Sequence, residues 1–489
     1  MRASAGAETA AAEMQRLSGI DAGFLYMETP TLHMHTLKVA VLEPTPGSDY
    51  SPAGIRRAMA ERMHLLPPFS RRVVEVPFGI HHPVWVQDSA FDLDHHLHQA
   101  GAAAPGGARE LDAVVSAIAG TPLDRAHPLW ELWIVHGLAG GRVAAVAKIH
   151  HALADGIAVA ELLANVMSPD PTALAPPPPP PSPSPTGGRA TEPLSTRGDL
   201  VRAALRERLR LARDLPGLLA TTLRRLLAAL RQRRSAGVRL PRPLLDTPRT
   251  SFNGTLTARR RFASLSLPLD EIKMVRSAFA VTINDVLLAL VAGALREYLA
   301  ARGETPRRAL VAEVPVSTDR AGDPRRLAGN RVANVFTSLC TDVADPLARL
   351  QRIHEQMQAA KDFNLALGPE LFGLWTEHTP PRLFAWVVRQ YARLRLADLH
   401  PPPINVIVSS VSGPRQHLYW AEGSLQALSS VGPLVDGVGL NVTAWSYVDR
   451  LNVGLLACPD LLADLDEVAD GLRRALDELL RAAAAARSA

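Results

Sequence analysis

The apolar positions of the N-terminal part follow strand and helix periods in turn. "LHMHTLKVAVLE" (32–43) alternates between apolar and polar residues and predicts a β-strand, whereas "SPAGIRRAMAERM" (51–63) has helical spacing. "RVAAVAKI" (142–149) is a continuous apolar run, which predicts a buried strand, and "GIAVAELLANVM" (156–167) predicts a helix. Residues 150–156 are therefore predicted to form a strand-to-helix turn.

The C-terminal part repeats this mixture of elements. Residues 265–280 predict a strand followed by a helix, and residues 281–300 predict a long helix that Thr282 and Asp285 open as a capping box. Further strands are predicted in residues 308–317, 334–341, 403–411 and 439–458, and a last helix in residues 465–485. The predicted fold class is α/β (α+β), with two similar halves and a cleft between them.

A proline-rich run, "APPPPPPSPSPTGG" (175–188), separates the two halves. Such a run adopts an extended, semi-rigid conformation and cannot belong to a packed core. The predicted organisation is an N-terminal domain over residues 1–168, a proline- and arginine-rich linker over residues 169–250, and a C-terminal domain over residues 251–489.

The linker contains a basic segment, residues 197–242, with thirteen arginines and three acidic residues. Leu219, Leu223, Leu226 and Leu230 recur there at helical spacing. Two interpretations are open: a helix that packs on both domains with a solvated basic face, or a helix that lies at a lipid surface with its arginines on anionic headgroups. Nucleic acid is not a predicted partner, because few aromatic residues are available to stack on bases.

Composition adds limits to this picture. The chain has 489 residues, of which 47% are hydrophobic and 21% charged, as is typical of a globular protein. The formal net charge is +5, and arginine supplies nearly all the basic residues, since lysine occurs only at positions 38, 148, 273 and 361. Cys340 and Cys458 lack redox or ligand spacing and indicate a reducing compartment. No secretory signal and no apolar run of roughly 18 residues is found, so a cytoplasmic protein without a spanning helix is predicted.

The turn "KIHHALADG" (148–156) carries the candidate chemistry. His151 can act as a general base, because an imidazole with a pKa of about 6.5 is largely neutral near pH 7. His150 points to the opposite side if the strand geometry persists, so the two histidines have different roles. Asp155 can bind an arginine or hold an imidazole tautomer, and Gly156 permits a close backbone approach.

The adjacent histidines are weak evidence by themselves. Two further pairs, His81–His82 and His95–His96, occur in this chain of sixteen histidines. A metal site built on His151 and Asp155 would need a third ligand, and none stands nearby in the sequence. No metal and no cofactor are therefore predicted.

The flanking sequence makes the histidine motif far more specific to one protein family. "HHALADG" fits the HHxxxDG motif of the CoA-dependent acyltransferase superfamily, and the flanking segments resemble the bacterial wax ester synthase/diacylglycerol acyltransferase family in that family's order. These segments are residues 17–35, 91–97, 121–138, 252–254, 282–296, 329–332, 405–423 and 439–447. The resemblance covers almost the whole chain except the arginine-rich linker.

The resemblance implies two chloramphenicol-acetyltransferase-like domains with the active site in a tunnel between them. His151 would be the catalytic base, with His150 as the other histidine of the motif. Asp155 would be structural and salt-bridged to an arginine, for which Arg331 of "GNRV" is the candidate. Gly156 would complete the motif.

Two further segments would support the site. Asn284 and Asp285 match the family's Asn-Asp motif, although Asp285 has a sufficient role as a helix cap. The tetrahedral oxyanion of an acyl transfer needs hydrogen-bond donors, and Asn284, Ser409 and Ser410 are the candidates. Where the family has "SNVPGP", this chain has "SSVSGP" (409–414), and Ala154 replaces a larger aliphatic residue. These departures concern acceptor preference.

The predicted function is O-acyl transfer from long-chain acyl-CoA, a co-substrate, to diacylglycerol, giving triacylglycerol, and also to long-chain alcohols, giving wax esters. Transfer would be direct, without an acyl-enzyme. A peripheral association with membrane or lipid droplets is expected. One alternative is an enzyme of the same fold that acylates another lipid or a secondary metabolite. A second is a lipid-binding protein without catalysis, which an intact HHxxxDG motif disfavours.

Overall fold

The computed structural model of the protein describes residues 14–171, 197–235, 237–319 and 322–488. The proline-rich run 175–188 lies outside these residues. The described α-helices, α1 to α11 in chain order, are Gly19–Met27, Pro52–Arg62, Ala108–Ala119, Gly156–Val166, Arg197–Ser235, Leu269–Phe279, Ile283–Ala301, Pro346–Leu367, Leu371–Thr376, Pro381–Arg393 and Leu465–Ser488. The described strands, β1 to β15, are Met14–Arg16, His35–Pro44, Arg71–Val74, Val84–Gln87, Leu97–Gly101, Trp130–His136, Val143–His150, Arg261–Pro268, Val311–Ser317, Val332–Ser338, Val406–Val411, Tyr419–Trp420, Gly423–Val431, Leu440–Tyr447 and Arg450–Ala457.

A six-stranded sheet forms the centre of the N-terminal half, in the order β12-β13-β2-β7-β6-β5. β2 pairs antiparallel with β7, which places His35 opposite His150. Strands β12 and β13 come from the C-terminal part of the chain, and β13 pairs antiparallel with β2. The C-terminal part therefore supplies one edge of the N-terminal sheet.

A second six-stranded sheet, in the order β10-β9-β11-β14-β15-β8, forms the centre of the C-terminal half. Val406 and Val408 of β11 point into a core shared with helices α7 and α11. Because side chains alternate along a strand, Ser409 and Val411 point to the opposite face. Val411 packs there against the core of the N-terminal half. This face of the sheet thus meets the first half, and the mixed α/β fold class is confirmed.

The predicted helix starts have the expected caps. Ser51 accepts a hydrogen bond from the Gly54 N–H at 3.2 Å. Thr282 and Asp285 form a capping box, with the Thr282 N–H donating to Asp285 Oδ2 at 2.9 Å and the Asp285 N–H donating to Thr282 Oγ1 at 3.1 Å. Each cap satisfies amide groups that have no partner within the helix.

Helix α5, the linker helix, packs on both halves of the molecule. The Arg208 guanidinium donates to the Ile80 carbonyl at 2.8 Å and to the Thr379 carbonyl at 3.1 Å. The Trp375 indole N–H donates to Thr222 Oγ1 at 3.0 Å. These contacts agree with the packed-helix interpretation of the basic segment.

The leucine stripe of α5 is nevertheless exposed. The fractional exposures are 51% for Leu219, 59% for Leu223, 43% for Leu226 and 40% for Leu230. No single helix among the described residues has the length and apolar character to cross a bilayer. Helices α6 and α7 have that length and apolar character only when taken together, and the pair is bent by 102°.

Candidate active site

The histidine turn links strand β7 to helix α4. The His151 N–H donates to the Met34 carbonyl of the neighbouring chain segment at 2.7 Å, and the Leu153 N–H donates to the His150 carbonyl at 2.9 Å. Asp155 is the N-cap of α4, and its Oδ1 accepts from the Ile157 and Ala158 amides at 3.1 and 3.0 Å. The strand, the turn and the cap together fix the backbone from which His151 projects.

The His151 ring lies between the two halves of the molecule. It stacks on Phe24 of α1, with ring centroids 4.2 Å apart and planes at 18°. Its Nδ1 lies 2.9 Å from Oδ1 of Asn330, a residue from the C-terminal half. Protein surrounds the side chain, which nevertheless keeps part of its surface accessible. This is the environment that a base in an interior passage requires.

The partners of Asn330 define the tautomer of His151. Asn330 Nδ2 donates to Asp21 Oδ1 and to the His151 carbonyl, both at 2.7 Å. Its Oδ1 is thereby turned toward Nδ1 of the ring, and since an amide oxygen only accepts, Nδ1 must carry the proton. The lone pair of the neutral imidazole is then on Nε2.

Burial also favours the neutral form of the His151 ring. Burial lowers the pKa of His151 below 6.5, while the Asp155 carboxylate and the Asn330 hydrogen bond oppose that shift and Lys38 adds to it. Burial raises the pKa of Asp21 to about 6, against the effect of its hydrogen bonds with Asn330 and Ser18. His151 is therefore available as a proton acceptor at neutral pH.

His150 occupies a different environment. It is fully buried, its Nδ1 accepts from the Ala152 N–H at 3.0 Å, and its Nε2 lies 3.8 Å from Glu28. Burial, with smaller contributions from Arg125 and His151, lowers its pKa well below 6.5. A neutral ring that closes the turn through its own acceptor nitrogen supports the backbone of His151.

The ion-pair partner of Asp155 differs from the predicted one. Arg326 binds Asp155 Oδ2 through Nη2 at 2.5 Å, whereas Arg331 contributes its backbone N–H at 2.9 Å. The Arg331 guanidinium points instead toward Asp319 and Asp323. The partner of Asp155 is an arginine, as predicted, but it is Arg326 and not Arg331. Strand β10 begins at residue 332, and the Arg331 side chain before it lies at the surface.

Gly156 and the C-terminal half meet closely beside this turn. A Cβ at Gly156 would lie 3.1 Å from Cγ2 of Val411. Val411 also lines a cavity of about 460 Å³ with Asn284 and Ser410. Ser409 is not among the residues that line that cavity. Of the oxyanion candidates, Asn284 and Ser410 are brought together.

Asp285 does not face this cavity. It is buried, and besides capping α7 its carboxylate lies 2.7 Å from Nδ1 of His354. Both contacts are structural, so the Asp285 side chain supports the position of the neighbouring Asn284.

A second cavity, of about 430 Å³, lies on the other side of the turn. Asp21, Leu153 and Gly329 line its inner end, and the basic side chains of Arg16, Arg71 and Arg210 line it as well. No group of three or more residues suited to hold a metal ion occurs in the part of the chain that the structure describes.

Sequence reasoning missed the residues that hold the base. Asp21 and Phe24 lie in the segment 17–35, and Asn330 lies in "GNRV". Both segments carried the family resemblance, but these three residues were given no roles. An aspartate and an asparagine about 310 residues apart carry no local signal of contact, as their hydrogen bond spans 309 positions.

Comparison with known proteins shows which family has this arrangement of domains and site. The model of the wax ester synthase/diacylglycerol acyltransferase catalytic domain matches residues 17–287, and that of the family's C-terminal domain matches residues 328–480. A Mycobacterium tuberculosis H37Rv protein, provisionally named diacylglycerol O-acyltransferase Rv0221, is 39% identical over 477 residues, which cover 96% of this chain and 97% of the relative.

Solved structures agree. The wax ester synthase/diacylglycerol acyltransferase from Marinobacter aquaeolei VT8 superposes with a TM-score of 0.66 at 27% identity, covering 96% of this chain and all of that chain. The starter condensation domain of rhizomide synthetase superposes with a TM-score of 0.53 at 13% identity, covering 98% and 96%, which shows a shared fold alone.

The fold and the histidine turn define a two-domain acyltransferase. This chain belongs to the wax ester synthase/diacylglycerol acyltransferase family. The sequence-based identification of the family and of an O-acyltransferase is confirmed.

Proposed function

We propose that this enzyme transfers a long-chain acyl group from acyl-CoA to diacylglycerol, and also to long-chain alcohols, with His151 as the general base. One observation carries the proposal: the Asp21–Asn330 hydrogen bonds leave the Nε2 lone pair of a neutral His151 free at the junction of the two halves. The names of the Mycobacterium tuberculosis and Marinobacter relatives support diacylglycerol and long-chain alcohols as acceptors.

The proposed chemistry is a single transfer. Nε2 of His151 removes the proton of the acceptor hydroxyl while its oxygen attacks the thioester carbonyl carbon. The tetrahedral intermediate collapses with cleavage of the C–S bond, and the imidazolium returns the proton to the departing thiolate, which leaves as free CoA. General base catalysis of this kind typically contributes about 10²–10⁴-fold.

The oxyanion of the intermediate needs donors that are fixed before the reaction. Asn284 and Ser410 support this role because they line one cavity beside Gly156. Arg326, which is ion-paired with Asp155, holds the turn from the C-terminal half. No acyl-enzyme is required, since the thioester is already activated.

An acceptor panel tests the proposal. Purified enzyme with labelled palmitoyl-CoA is expected to give radioactive triacylglycerol from diacylglycerol and wax ester from hexadecanol, and no amide from hexadecylamine. His151→Ala is expected to lower the rate to background. His95→Ala, which removes an exposed histidine of another adjacent pair, is the control and is expected to keep full activity. Equal rates in His151→Ala and wild type would exclude the mechanism.

We also propose that the enzyme works at an anionic lipid surface. Leucines of α5 are exposed, and Thr222 of the same helix accepts a hydrogen bond from Trp375 of α9. Helix α10, which the sequence reading did not assign, exposes 57% of Leu383, 54% of Trp386 and 47% of Val387. Helices with large outward apolar groups and flanking basic residues bind membrane interfaces.

The position of α10 relates this surface to the site. Phe384, on its inner side, packs edge-on against Tyr26 of α1, with ring centroids 6.3 Å apart. Helix α1 also carries Phe24, on which His151 stacks. A lipid acceptor that leaves the surface at α10 would therefore reach His151 after passing a single helix.

Vesicle binding tests this part of the proposal. Wild type is expected to sediment with phosphatidylglycerol vesicles and weakly with phosphatidylcholine vesicles. The double variant Leu383→Gln/Trp386→Gln is expected to lose roughly 100-fold or more in binding, because each large apolar side chain contributes about 1.5–3 kcal/mol when buried. Leu245→Gln, an exposed leucine in a loop, is the control. Unchanged sedimentation of the double variant would refute the proposal that this surface binds lipid.

A further inference from the structure

The two cavities beside the histidine turn differ in charge. The polar lining of the cavity of about 460 Å³ consists of one arginine, one asparagine and four hydroxyl-bearing residues, which are Arg276, Asn284, Thr282, Ser410, Ser412 and Ser446. Its other lining residues are aliphatic, and none of the described residues that line it is acidic. The cavity of about 430 Å³ has three acidic lining residues, which are Asp21, Glu207 and Glu377. The first cavity is therefore the better match for an anionic ligand.

The arginine of this first cavity is available to a ligand. Arg276 lies in the last turn of α6, and its side chain is exposed. Its guanidinium forms no hydrogen bond or ion pair with the residues that the structure describes. In the other cavity, Arg16 is ion-paired with Glu207, and Arg71 donates to Gln15 Oε1 at 3.0 Å. Guanidinium groups bind phosphate oxygens through two parallel hydrogen bonds, so an unpaired one that lines a cavity suits a phosphorylated ligand.

The cavity of Arg276 also reaches the histidine turn. Val411 of β11 lines it, and Cγ2 of Val411 lies 3.1 Å from the position that a Cβ at Gly156 would take. Asn284 and Ser410, the candidate oxyanion donors, line the same cavity. The oxyanion forms on the carbonyl of the donor thioester, so the acyl donor must place that carbonyl beside these two residues. The cavity thus connects an exposed arginine with the place where the thioester must react.

The other cavity faces the proposed lipid surface. Arg210 and Leu211 of the linker helix α5 line it, and so does Glu377, which directly follows α9. Exposed leucines of α5 and the apolar residues of α10 form the surface at which a lipid acceptor is proposed to bind. A diacylglycerol or a long-chain alcohol has no phosphate group that would need a cation. The two cavities therefore suit substrates of different chemistry.

We propose that the cavity of Arg276 binds the CoA portion of the acyl donor, with Arg276 on a phosphate group of CoA and the thioester carbonyl beside Asn284 and Ser410. The hydroxyl groups of Ser412 and Ser446 line the path of the pantetheine arm, whose amides can form hydrogen bonds with hydroxyl groups. The lipid acceptor approaches His151 from the cavity that α5 lines. The inference rests on the proposed function, because it assigns an entrance to the acyl-CoA of that reaction.

Two donors with the same thioester test the role of Arg276, since palmitoyl-pantetheine lacks the phosphate groups of palmitoyl-CoA. In Arg276→Gln the KM for palmitoyl-CoA is expected to rise roughly tenfold or more with little change in kcat, because charge-assisted hydrogen bonds to phosphate are lost. The KM for palmitoyl-pantetheine is expected to stay the same. Arg307→Gln removes an exposed arginine beyond the far end of α7 and is the matched control. An unchanged KM for palmitoyl-CoA, or an equal rise for both donors, would overturn the proposal.

Filling each cavity in turn tests which of them CoA enters. Ser412→Trp fills the cavity of Arg276 and is expected to weaken CoA binding roughly tenfold or more in isothermal titration calorimetry, because the side chain occupies the space of the ligand. Leu211→Trp fills the other cavity and is expected to leave the affinity for CoA unchanged while it raises the KM for diacylglycerol. Wild-type affinity for CoA in Ser412→Trp, or a loss of that affinity in Leu211→Trp, would contradict the assignment.

Calorimetry with CoA alone needs no turnover, so it separates this inference from the proposed function. If the wild type binds CoA but acylates no acceptor, the proposed function fails, and the comparison with Arg276→Gln still decides the role of Arg276. If transfer occurs and Arg276→Gln binds CoA as tightly as the wild type, the proposed function stands and this inference fails. A wild type that does not bind CoA would overturn the inference directly.

Discussion

Asn330 shows how one neutral side chain can define the state of a base. Both of its N–H groups are committed, one to Asp21 and one to the His151 carbonyl. Its oxygen is left facing Nδ1 of His151, which selects the tautomer with a free Nε2. A water at this place, which can donate as well as accept, would leave the choice of tautomer open.

Replacing Asn330 should therefore lower the rate of acyl transfer more than it weakens substrate binding. In Asn330→Ala we expect kcat to fall by roughly 10²-fold with little change in the KM for acyl-CoA, because the tautomer and orientation of the base are lost. Steady-state kinetics with palmitoyl-CoA and diacylglycerol measure both constants. Asn364→Ala, which removes an asparagine hydrogen-bonded to the Asn334 carbonyl, is the matched control. A change in KM alone would contradict this account.

Asp155 illustrates what the sequence could and could not predict at this scale. Its need for a basic partner follows from its place in the motif. The segment 322–331 offers Arg325, Arg326 and Arg331, and the choice among them depends on where strand β10 begins. Arg326 is mostly buried, whereas half of the Arg331 side chain is exposed. Periodicity carries no information on that difference.

The two arginines should differ strongly in their effect on stability. Arg326→Met leaves the buried Asp155 carboxylate without its ion pair, and we expect the free energy of unfolding to fall by about 3–5 kcal/mol. Arg331→Met removes an exposed ion pair and should cost less than about 1 kcal/mol. Urea denaturation followed by circular dichroism compares them. Equal losses would mean that Arg331 carries the predicted role after all.

At the scale of elements, the prediction of helices and strands from the sequence was accurate where one face of the element is buried. Strands β2 and β7 and helices α2, α4 and α7 lie within about three residues of their predicted positions. Helix α10 and strand β13 were not predicted. In α10 the apolar face formed by Leu383, Trp386 and Val387 is exposed rather than buried in a core. In β13 the partner strand β2 lies almost 400 positions away, beyond the reach of any local pattern.

At the scale of the whole molecule, the two halves share structure across the predicted domain boundary. Strand β13 pairs with β2 along the edge of the N-terminal sheet, and its Leu425 and Leu428 belong to the N-terminal core. Gly454 of the C-terminal sheet packs against β13, where a Cβ would lie 2.4 Å from the Ser430 carbonyl. β13 is therefore a structural bridge between the halves.

The N-terminal half should consequently not be stable alone. Residues 1–250 expressed without the rest leave the long edge of β2 unpaired, and an open apolar edge promotes aggregation. We expect this fragment to be insoluble or to unfold without cooperativity, whereas the full chain unfolds in one calorimetric transition. A soluble fragment with its own sharp transition would show that β13 is dispensable.

The shared sheet also has a consequence for the chain segment that joins the two halves. Because pairing between β13 and β2 joins the halves, covalent continuity between residues 171 and 197 is not what keeps them registered. A break in the chain between residues 171 and 197 is therefore expected to leave the two halves paired and the histidine turn in place.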